Sequence, residues 1–453
     1  MNLLRSLLFL FCSSTLCISA FSAAKKNDTS AALKINLQVT RYQLANGLTV
    51  LLHEDHSVPM ISYHTWYRVG SRDESEGVTG AAHMLEHMMF KGAKKYSGKD
   101  FDRILHENGI TNNAFTTADY TGFYENLPSS KLELMMDMEV DRMRFLSLRA
   151  EDLTSELQVV GEERRWRVDN NPPGLLRESF MSLMYEVHPY KWPVIGWMRD
   201  IQLYTPEKLK KFYDQFYVPN NAVLVLVGDF ETSKVKDLIE KYYGKLEPKV
   251  LPVRNYAVEP PIKKNRFKEV EGDVQSSTLI VGYPGVEVGH PDSYALDLLS
   301  GLLGNGSSSR LHKKLVYEKQ IAGSAGAFNS TSANPGSFTA IASLLPGKDW
   351  KVAQRQIKAE MEKFKTEKVS SNELQKVKNQ IMKDFVDGLT TVDGKANAFA
   401  INEVLLGSYE KMYSDLEKYN AVTIEDIQKV AKKYFISNSE VVSVLVPKKV
   451  VKP

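Results

Sequence analysis

Cysteine is nearly missing from this chain of 453 residues: there are two, Cys12 and Cys17, and both fall in the opening stretch. If that stretch is removed on export, the mature chain has neither a disulfide nor a thiol nucleophile. Charge of one sign is missing too. Lys and Arg number 58 against 55 Asp and Glu, and a net charge of +3 gives no case for nucleic acid or an anionic membrane as partner. Beyond the N-terminal segment, no apolar run is long enough to span a bilayer. The glycine-rich "GLLGNGSSSRLHKKL" lacks the G-K-[ST] of a phosphate-binding loop, and no G-x-S-x-G supports a serine nucleophile.

What is present begins with "MNLLRSLLFLFCSSTLCISAFSAA". Arg5, an apolar run from Leu7 to Leu16, and small residues ending at Ala23 and Ala24 have the layout of a secretory signal peptide over 1–24. The expectation is an exported chain, in the periplasm or outside the cell, with no membrane span after cleavage. The rest, 43% hydrophobic and 25% charged overall, has a soluble globular composition and is too long for one ordinary core.

The stretch 246–265, with Pro248, Pro252, Pro260 and Pro261, reads as a linker between domains over 37–245 and 266–450. The two sides resemble each other. "TPEKLKKFYDQFYVPNNAVLVLV" from Thr205 and "TIEDIQKVAKKYFISNSEVVSVL" from Thr423 align without a gap as capped helix, aromatic pair, Asn turn and apolar strand. An internal duplication follows. Near the start, "YQLANGLTVLL" predicts a hairpin turning at Asn46-Gly47 with positive φ at both turn positions. "MISYHTWYRVGS" predicts a strand, and residues 100–108 and 129–166 predict helices, broken near 147–150. Thr79 is placed to cap a helix that follows it.

That helix is "GAAHMLEHMMFKG", residues 80–92. At about 100° per residue, His83 and His87 lie one turn apart on one face, where two imidazoles can reach one zinc ion. Glu86 lies on the same flank and can serve as general base toward a water that zinc acidifies. In a chain with nine histidines, a chance H-x-x-E-H is on the order of one in a hundred. A catalytic zinc takes a third protein ligand, and "TSELQVVGEERRWRV" offers Glu156, Glu162 and Glu163. Glu156 and Glu163 share a helical face; the local pattern does not choose between Glu162 and Glu163. His53 and His56, an H-x-x-H at a strand end, point to opposite faces and do not make a second site.

"GSRDESEGVTGAAHMLEHMMFKG" followed by "SELQVVGEERR" closely resembles the inverted-motif zinc metallopeptidases of the pitrilysin and insulin-degrading-enzyme group, which includes mitochondrial processing peptidase. The resemblance covers nearly the whole mature chain and is nearest the small two-domain branch. It implies an α+β fold of two homologous domains, each an antiparallel-rich β-sheet with helices packed on one face. It implies one Zn2+ held by His83, His87 and Glu163, with Glu86 as catalytic base and Glu156 orienting a histidine from behind. "NNAFTTADYTGFY" resembles the family's edge strand, which grips an extended peptide, so Asn113, Ala114 and Phe115 are implied substrate contacts. "HPYKWPVIG" matches a family segment in which His188 is structural.

One departure matters. Single-chain members carry an arginine and a tyrosine, seven apart, in the C-terminal half; the matching positions here hold Val316 and Gly323. Neither side chain can donate a hydrogen bond. The resemblance therefore implies a metal-bearing subunit that needs a homologous partner lacking H-x-x-E-H but bearing the Arg/Tyr pair. The rival expectations are a non-catalytic, core-like structural subunit and a maturation protease dedicated to one peptide. A complete set of His83, Glu86, His87 and Glu163 speaks against the first.

Overall fold

The computed structural model describes residues 37–448. The expected leader over 1–24, with Cys12 and Cys17, lies outside the described residues. Among those residues no helix is long and apolar enough to cross a membrane.

The first half of the chain builds β1 (Thr40–Gln43), β2 (Thr49–Glu54), β3 (Met60–Tyr67), α1 (Ala81–Met88), α2 (Gly98–Glu107), β4 (Thr111–Thr116) and β5 (Thr121–Pro128). It continues with α3 (Leu132–Phe145), α4 (Ala150–Arg164), α5 (Pro172–Met184), α6 (Met198–Ile201), α7 (Pro206–Phe216), β6 (Ala222–Gly228) and α8 (Thr232–Tyr243). The second half builds β7 (Arg266–Gly272), β8 (Thr278–Pro284), α9 (Ser293–Gly304), β9 (Ala322–Ser330), β10 (Ser337–Leu344) and α10 (Trp350–Thr366). After these come α11 (Ser371–Gly388), α12 (Val392–Leu406), α13 (Lys411–Ala421), α14 (Ile424–Tyr434) and β11 (Val441–Pro447).

The strands form a six-stranded sheet in the order β1-β2-β6-β3-β5-β4 and a five-stranded sheet in the order β7-β11-β8-β10-β9. In both, the last strand of the half slots between two earlier ones, so β6 is parallel to β2 and antiparallel to β3. In the same way β11 is parallel to β7 and antiparallel to β8. Every other pairing is antiparallel. The two aligned sequence copies are α7–β6 and α14–β11, and Thr205 and Thr423 each cap their helix with the side chain. The duplication is thus visible as one topology built twice.

Alternation along the strands sorts side chains into two layers per sheet. Ile61, Tyr63 and Tyr67 of β3, with Leu224 and Leu226 of β6, face the first core, against α1, α3, α7 and α8. Leu279 and Val281 of β8 and Val442 and Val444 of β11 face a second core under α9, α10 and α14. So far each sheet carries helices on one face, as expected.

The opposite faces hold what the pattern did not predict: each is covered by a helix from the other half. From the second half, α12 lies across β3 and β6, with Phe399 edge-on to His53 of β2 and Asp393 bonded to Ser62 (3.2 Å) and His64 (3.2 Å). From the first half, α5 lies across β7, β8 and β11, with Phe180 and Met184 packed near Ile280 and Val441. Ser179 of α5 bonds Ser443 of β11 at 2.9 Å.

Two local expectations are corrected. Of the hairpin residues Asn46 and Gly47, only Gly47 has positive φ, +86°. The loop is longer than a two-residue turn, closed by Leu44 N–H to Leu48 O (3.0 Å) and Gly47 N–H to Leu44 O (2.9 Å). Asn46 is drawn inward instead, its amide donating to the carbonyls of Tyr243 (2.7 Å) and Leu246 (2.9 Å) at the end of α8. Thr79 does not cap α1, because its hydroxyl donates to Asp200 (2.6 Å). Glu74 does the capping, accepting from Gly80 N–H (2.7 Å) and Ala82 N–H (2.9 Å), which sets a buried carboxylate against the positive end of the helix.

Residues 246–265 contain no helix or strand, yet they are pinned. Arg254 meets Asp73 at 3.0 Å, Tyr256 donates to Asp73 at 2.7 Å, and Glu259 accepts from the N–H groups of Glu186, Val187 and His188 at 2.7–3.0 Å.

Candidate active site

α1 carries His83, Glu86 and His87, and its apolar residues Ala82, Met84, Leu85 and Met88 seat it in the first core. α4 runs beside it and presents Glu156 and Glu163 from one face. His83 Nε2 stands 3.6 Å and His87 Nε2 3.2 Å from Glu163 Oε2. The ligating atoms of these three residues lie within 4.8 Å of one another, the one such group among the described residues.

Zinc with ligands at about 2.0–2.1 Å in a tetrahedron sets ligand atoms about 3.3–3.4 Å apart, close to both separations to Glu163. Glu163 Oε2 is buried without a hydrogen-bond partner, an acceptor aimed at two imidazoles with nothing to satisfy it. Two imidazole nitrogens and one carboxylate oxygen, with one carboxylate lone pair idle, fit a zinc ion. Glu162, the alternative left open, points away: its side chain is 72% exposed and pairs with Arg165.

The residues behind this trio fix its geometry. Glu156 Oε1 accepts from His87 Nδ1 at 2.8 Å, which turns Nε2 toward Glu163. The other oxygen of Glu156 takes Lys91 Nζ at 2.5 Å. Arg167 Nε holds Glu163 Oε1 at 2.9 Å, leaving Oε2 to the histidines. Arg167 reaches it from the wider, π-type turn Arg165–Asp169 that ends α4.

Charge follows from these contacts. Burial, then the neighbouring His87, pulls the His83 imidazole down to about 4. Burial also pulls on His87, but hydrogen bonds and charges from Glu156 and Glu163 override it and raise it to about 9. Burial pushes both of those carboxyls up, and contacts with His87 and nearby cations bring them below the ordinary range. Glu86 stays raised by burial, although Thr116 Oγ1 donates to its Oε2 at 2.5 Å and opposes the rise.

Thr116 belongs to β4, the outermost strand of its sheet, whose free edge opens on the cleft. Asn113, Ala114 and Phe115 all line that cleft with His83, Glu86, His87 and Glu163. They split between faces: Ala114 and Thr116 turn toward the core and α1, while Phe115 meets Trp66 edge-on at 5.0 Å. Gly122 on the paired strand makes room, since a Cβ there would lie 2.5 Å from the Phe115 ring. The cleft, about 1540 Å³, runs between the halves, and its far wall includes Phe328, Ser330, Thr331 and Ile341.

Across it the tips of two hairpins are tied. Asp119, between β4 and β5, pairs with Arg72 (2.9 Å), takes the Tyr190 hydroxyl (2.5 Å) and accepts from Ala333 N–H (3.0 Å), between β9 and β10.

Val316 packs against the second core and Gly323 is a bare position on β9; neither lines the cleft. His188 does take a structural part, accepting from Tyr190 N–H at 3.1 Å. His53 bonds the Gln38 carbonyl and His56 pairs with Asp229, so they do not converge. Thr116, Arg167, Lys91 and Glu74 escaped the sequence reading. Lys91, four residues beyond His87, and Arg167, four beyond Glu163, had a local signal in helical spacing.

Two family models match the chain: "Insulinase (Peptidase family M16)" over residues 49–196 and "Peptidase M16 inactive domain" over 204–381. The zinc protease PqqE of Helicobacter pylori is 35% identical over 402 residues, covering 86% of this chain and 89% of that one. YmxG of Bacillus subtilis, described as an uncharacterized zinc protease, is 26% identical over 401 residues, covering 88% and 96%. The crystal structure of a protease from Helicobacter pylori superimposes with a TM-score of 0.87 at 33% identity, over 91% of this chain and 100% of that one. With the H-x-x-E-H helix, two sheets of repeated topology and this extent of likeness, the chain belongs to peptidase family M16, the pitrilysin type, in its small two-domain branch.

Proposed function

We propose that this chain is an exported zinc metalloendopeptidase that hydrolyses peptides or small unfolded segments, and that it works as the metal-bearing subunit of a pair. The observation that carries the reading is the meeting of His83, His87 and Glu163 beside Glu86, under a strand edge that opens on the cleft. A zinc ion held by those three residues supplies Lewis acidity and lowers the pKa of water.

The chain's own residues do the rest. Glu86, with one oxygen engaged by Thr116, has the other free to take a proton from the attacking water and hand it to the leaving amine. Its raised pKa suits a group that must both accept and release a proton near neutrality. Thr116 joins that base to β4, so a peptide added along the edge at Asn113, Ala114 and Phe115 is registered against the base. Glu156 keeps His87 in the tautomer that points Nε2 inward.

The pairing rests on Val316 and Gly323. With an apolar side chain at one and none at the other, these two positions offer no side-chain donor to a substrate carbonyl. A homologous subunit bearing the Arg/Tyr pair and no H-x-x-E-H would supply them. Export rests on the segment 1–24.

The test is zinc analysis and peptide hydrolysis by the purified mature chain, alone and with such a paralogue, beside Glu86→Gln. The expected result is one zinc per chain in both forms, with turnover reduced about a hundredfold or more in Glu86→Gln. A zinc-free protein would favour a structural subunit, and wild-type-like hydrolysis by Glu86→Gln would remove Glu86 as base. Robust cleavage by the chain alone would overturn the pairing only.

A further inference from the structure

The charged residues lining the cleft are almost all neutralised by neighbours. Asp119 is matched by Arg72 at 2.9 Å and Glu178 by Arg164 at 3.0 Å. Lys191 is matched by Glu76 at 3.4 Å and Asp415 by Lys418 at 3.0 Å. Arg167 is committed to Glu163. Glu86 has no cation against it and accepts from Thr116 at 2.5 Å. Among the cations of the cleft, one is left over. Arg177 lines the cleft, is exposed to it, and its guanidinium makes no ion pair or hydrogen bond among the described residues.

Its place on α5 keeps it there. Gly174, Arg177 and Met181 follow one another at helical spacing and all three line the cleft. On other sides of the same helix, Ser179, Phe180 and Met184 are fastened to the second sheet. The helix therefore cannot roll Arg177 away without giving up the packing that covers that sheet. The cleft wall that Arg177 shares includes apolar and aromatic side chains, among them Met181, Tyr185 and Trp192. A planar, always charged fork in such a wall suits a carboxylate, which it can hold with two parallel hydrogen bonds.

We propose that Arg177 binds a carboxylate of the peptide held in the cleft, and so sets a preference for acidic substrates. The carboxylate is either an Asp or Glu side chain or the peptide's own C-terminus. The inference rests on the peptidase reading above.

The test is binding, without turnover. Labelled extended peptides with Glu, Gln or Lys stepped through successive positions, each with a free or amidated C-terminus, are titrated by fluorescence anisotropy into the mature zinc-loaded Glu86→Gln protein, alone and together with the Arg/Tyr-bearing paralogue. The expected result is that the best Glu peptide, or the free-acid form, binds about three- to thirtyfold more tightly than its neutral counterpart. Loss of the preference on Glu→Gln marks a side-chain carboxylate, and loss on amidation marks the C-terminus. Adding Arg177→Gln should abolish the preference and Arg177→Glu should turn it toward Lys. Equal affinity for all peptides, or a preference that survives Arg177→Gln, overturns the inference and leaves the peptidase reading intact. No binding by any peptide to a protein that carries zinc counts against the peptidase reading, and the inference falls with it.

Discussion

His83 and His87 stand one turn apart on one helix, yet they titrate in opposite directions, to about 4 and about 9. Burial dominates at His83, whose Nδ1 has no partner, whereas His87 faces a carboxylate at each nitrogen, Glu156 at 2.8 Å and Glu163 at 3.2 Å. Without metal, His87 therefore carries a proton at neutral pH, and a metal ion must displace it. Zinc affinity should rise about tenfold per pH unit from neutrality toward pH 9 and flatten above it. Calorimetry in buffers of different ionisation enthalpy should count about one proton released near neutral pH; affinity independent of pH would contradict the assignment. A second expectation concerns Thr116. Its hydroxyl favours the ionised form of Glu86, so Thr116→Val should raise the base's pKa further. The acid limb of the kcat/KM profile should then move to higher pH with zinc content unchanged. The H-x-x-E-H and the shared face of Glu156 and Glu163 were legible from helical spacing alone. Glu163 over Glu162 was not, because the choice depends on how α4 is rotated against α1. Thr116 was invisible for a like reason, since a strand register brings it in.

At the scale of elements, the edge strand β4 was legible from the resemblance of "NNAFTTADYTGFY" to the family's edge strand, and the break between α3 and α4 from its loss of pattern. What holds β4 in place was not, because Asp119 finds its partners across the cleft. Asp119 is buried with Arg72 at 2.9 Å, and removing it takes away the guanidinium's carboxylate, leaving it Asn334 Oδ1 at 3.0 Å, and orphans the Ala333 N–H. Losing one partner of a buried pair costs about 3–5 kcal/mol. Asp119→Ala should lose stability of that order in chemical denaturation. Hydrogen exchange should speed up first at residues 117–120 and 331–336, the two tips it joins. Uniform exchange changes across the chain would mean that Asp119 supports the fold generally and does not act as a tie between hairpins.

At the scale of the molecule, the duplication could be read from the gapless likeness of the Thr205 and Thr423 segments. The crossing of α5 and α12 could not, since nothing local in "VDGKANAFAINEVLL" says whose sheet it will cover. The seam this creates is charged. Asp55 of the first half pairs with Lys395 of α12, and although burial opposes it, that contact holds the carboxyl below its ordinary range. A depressed carboxyl contributes stability above its unfolded pKa and loses it as pH falls through the folded one. Asp55→Asn should therefore be less stable than wild type near neutrality, with the gap closing below about pH 3.8. A gap that does not narrow as pH falls from 4 to 2 would assign the effect to packing. Phe399, fully buried on the same seam, should cost about 3–5 kcal/mol when cut to Ala.

The crossing also sets the order in which the chain can mature. Ser62 waits for Asp393, which lies 331 residues further along. As the protein is synthesised, the outer face of the first sheet, with Trp66 and Val225, stays bare until α12 has emerged. Neither half can finish first and serve as a template for the other. Contacts this distant in sequence should make folding of the chain slow to begin and exposed to misassociation until α12 arrives.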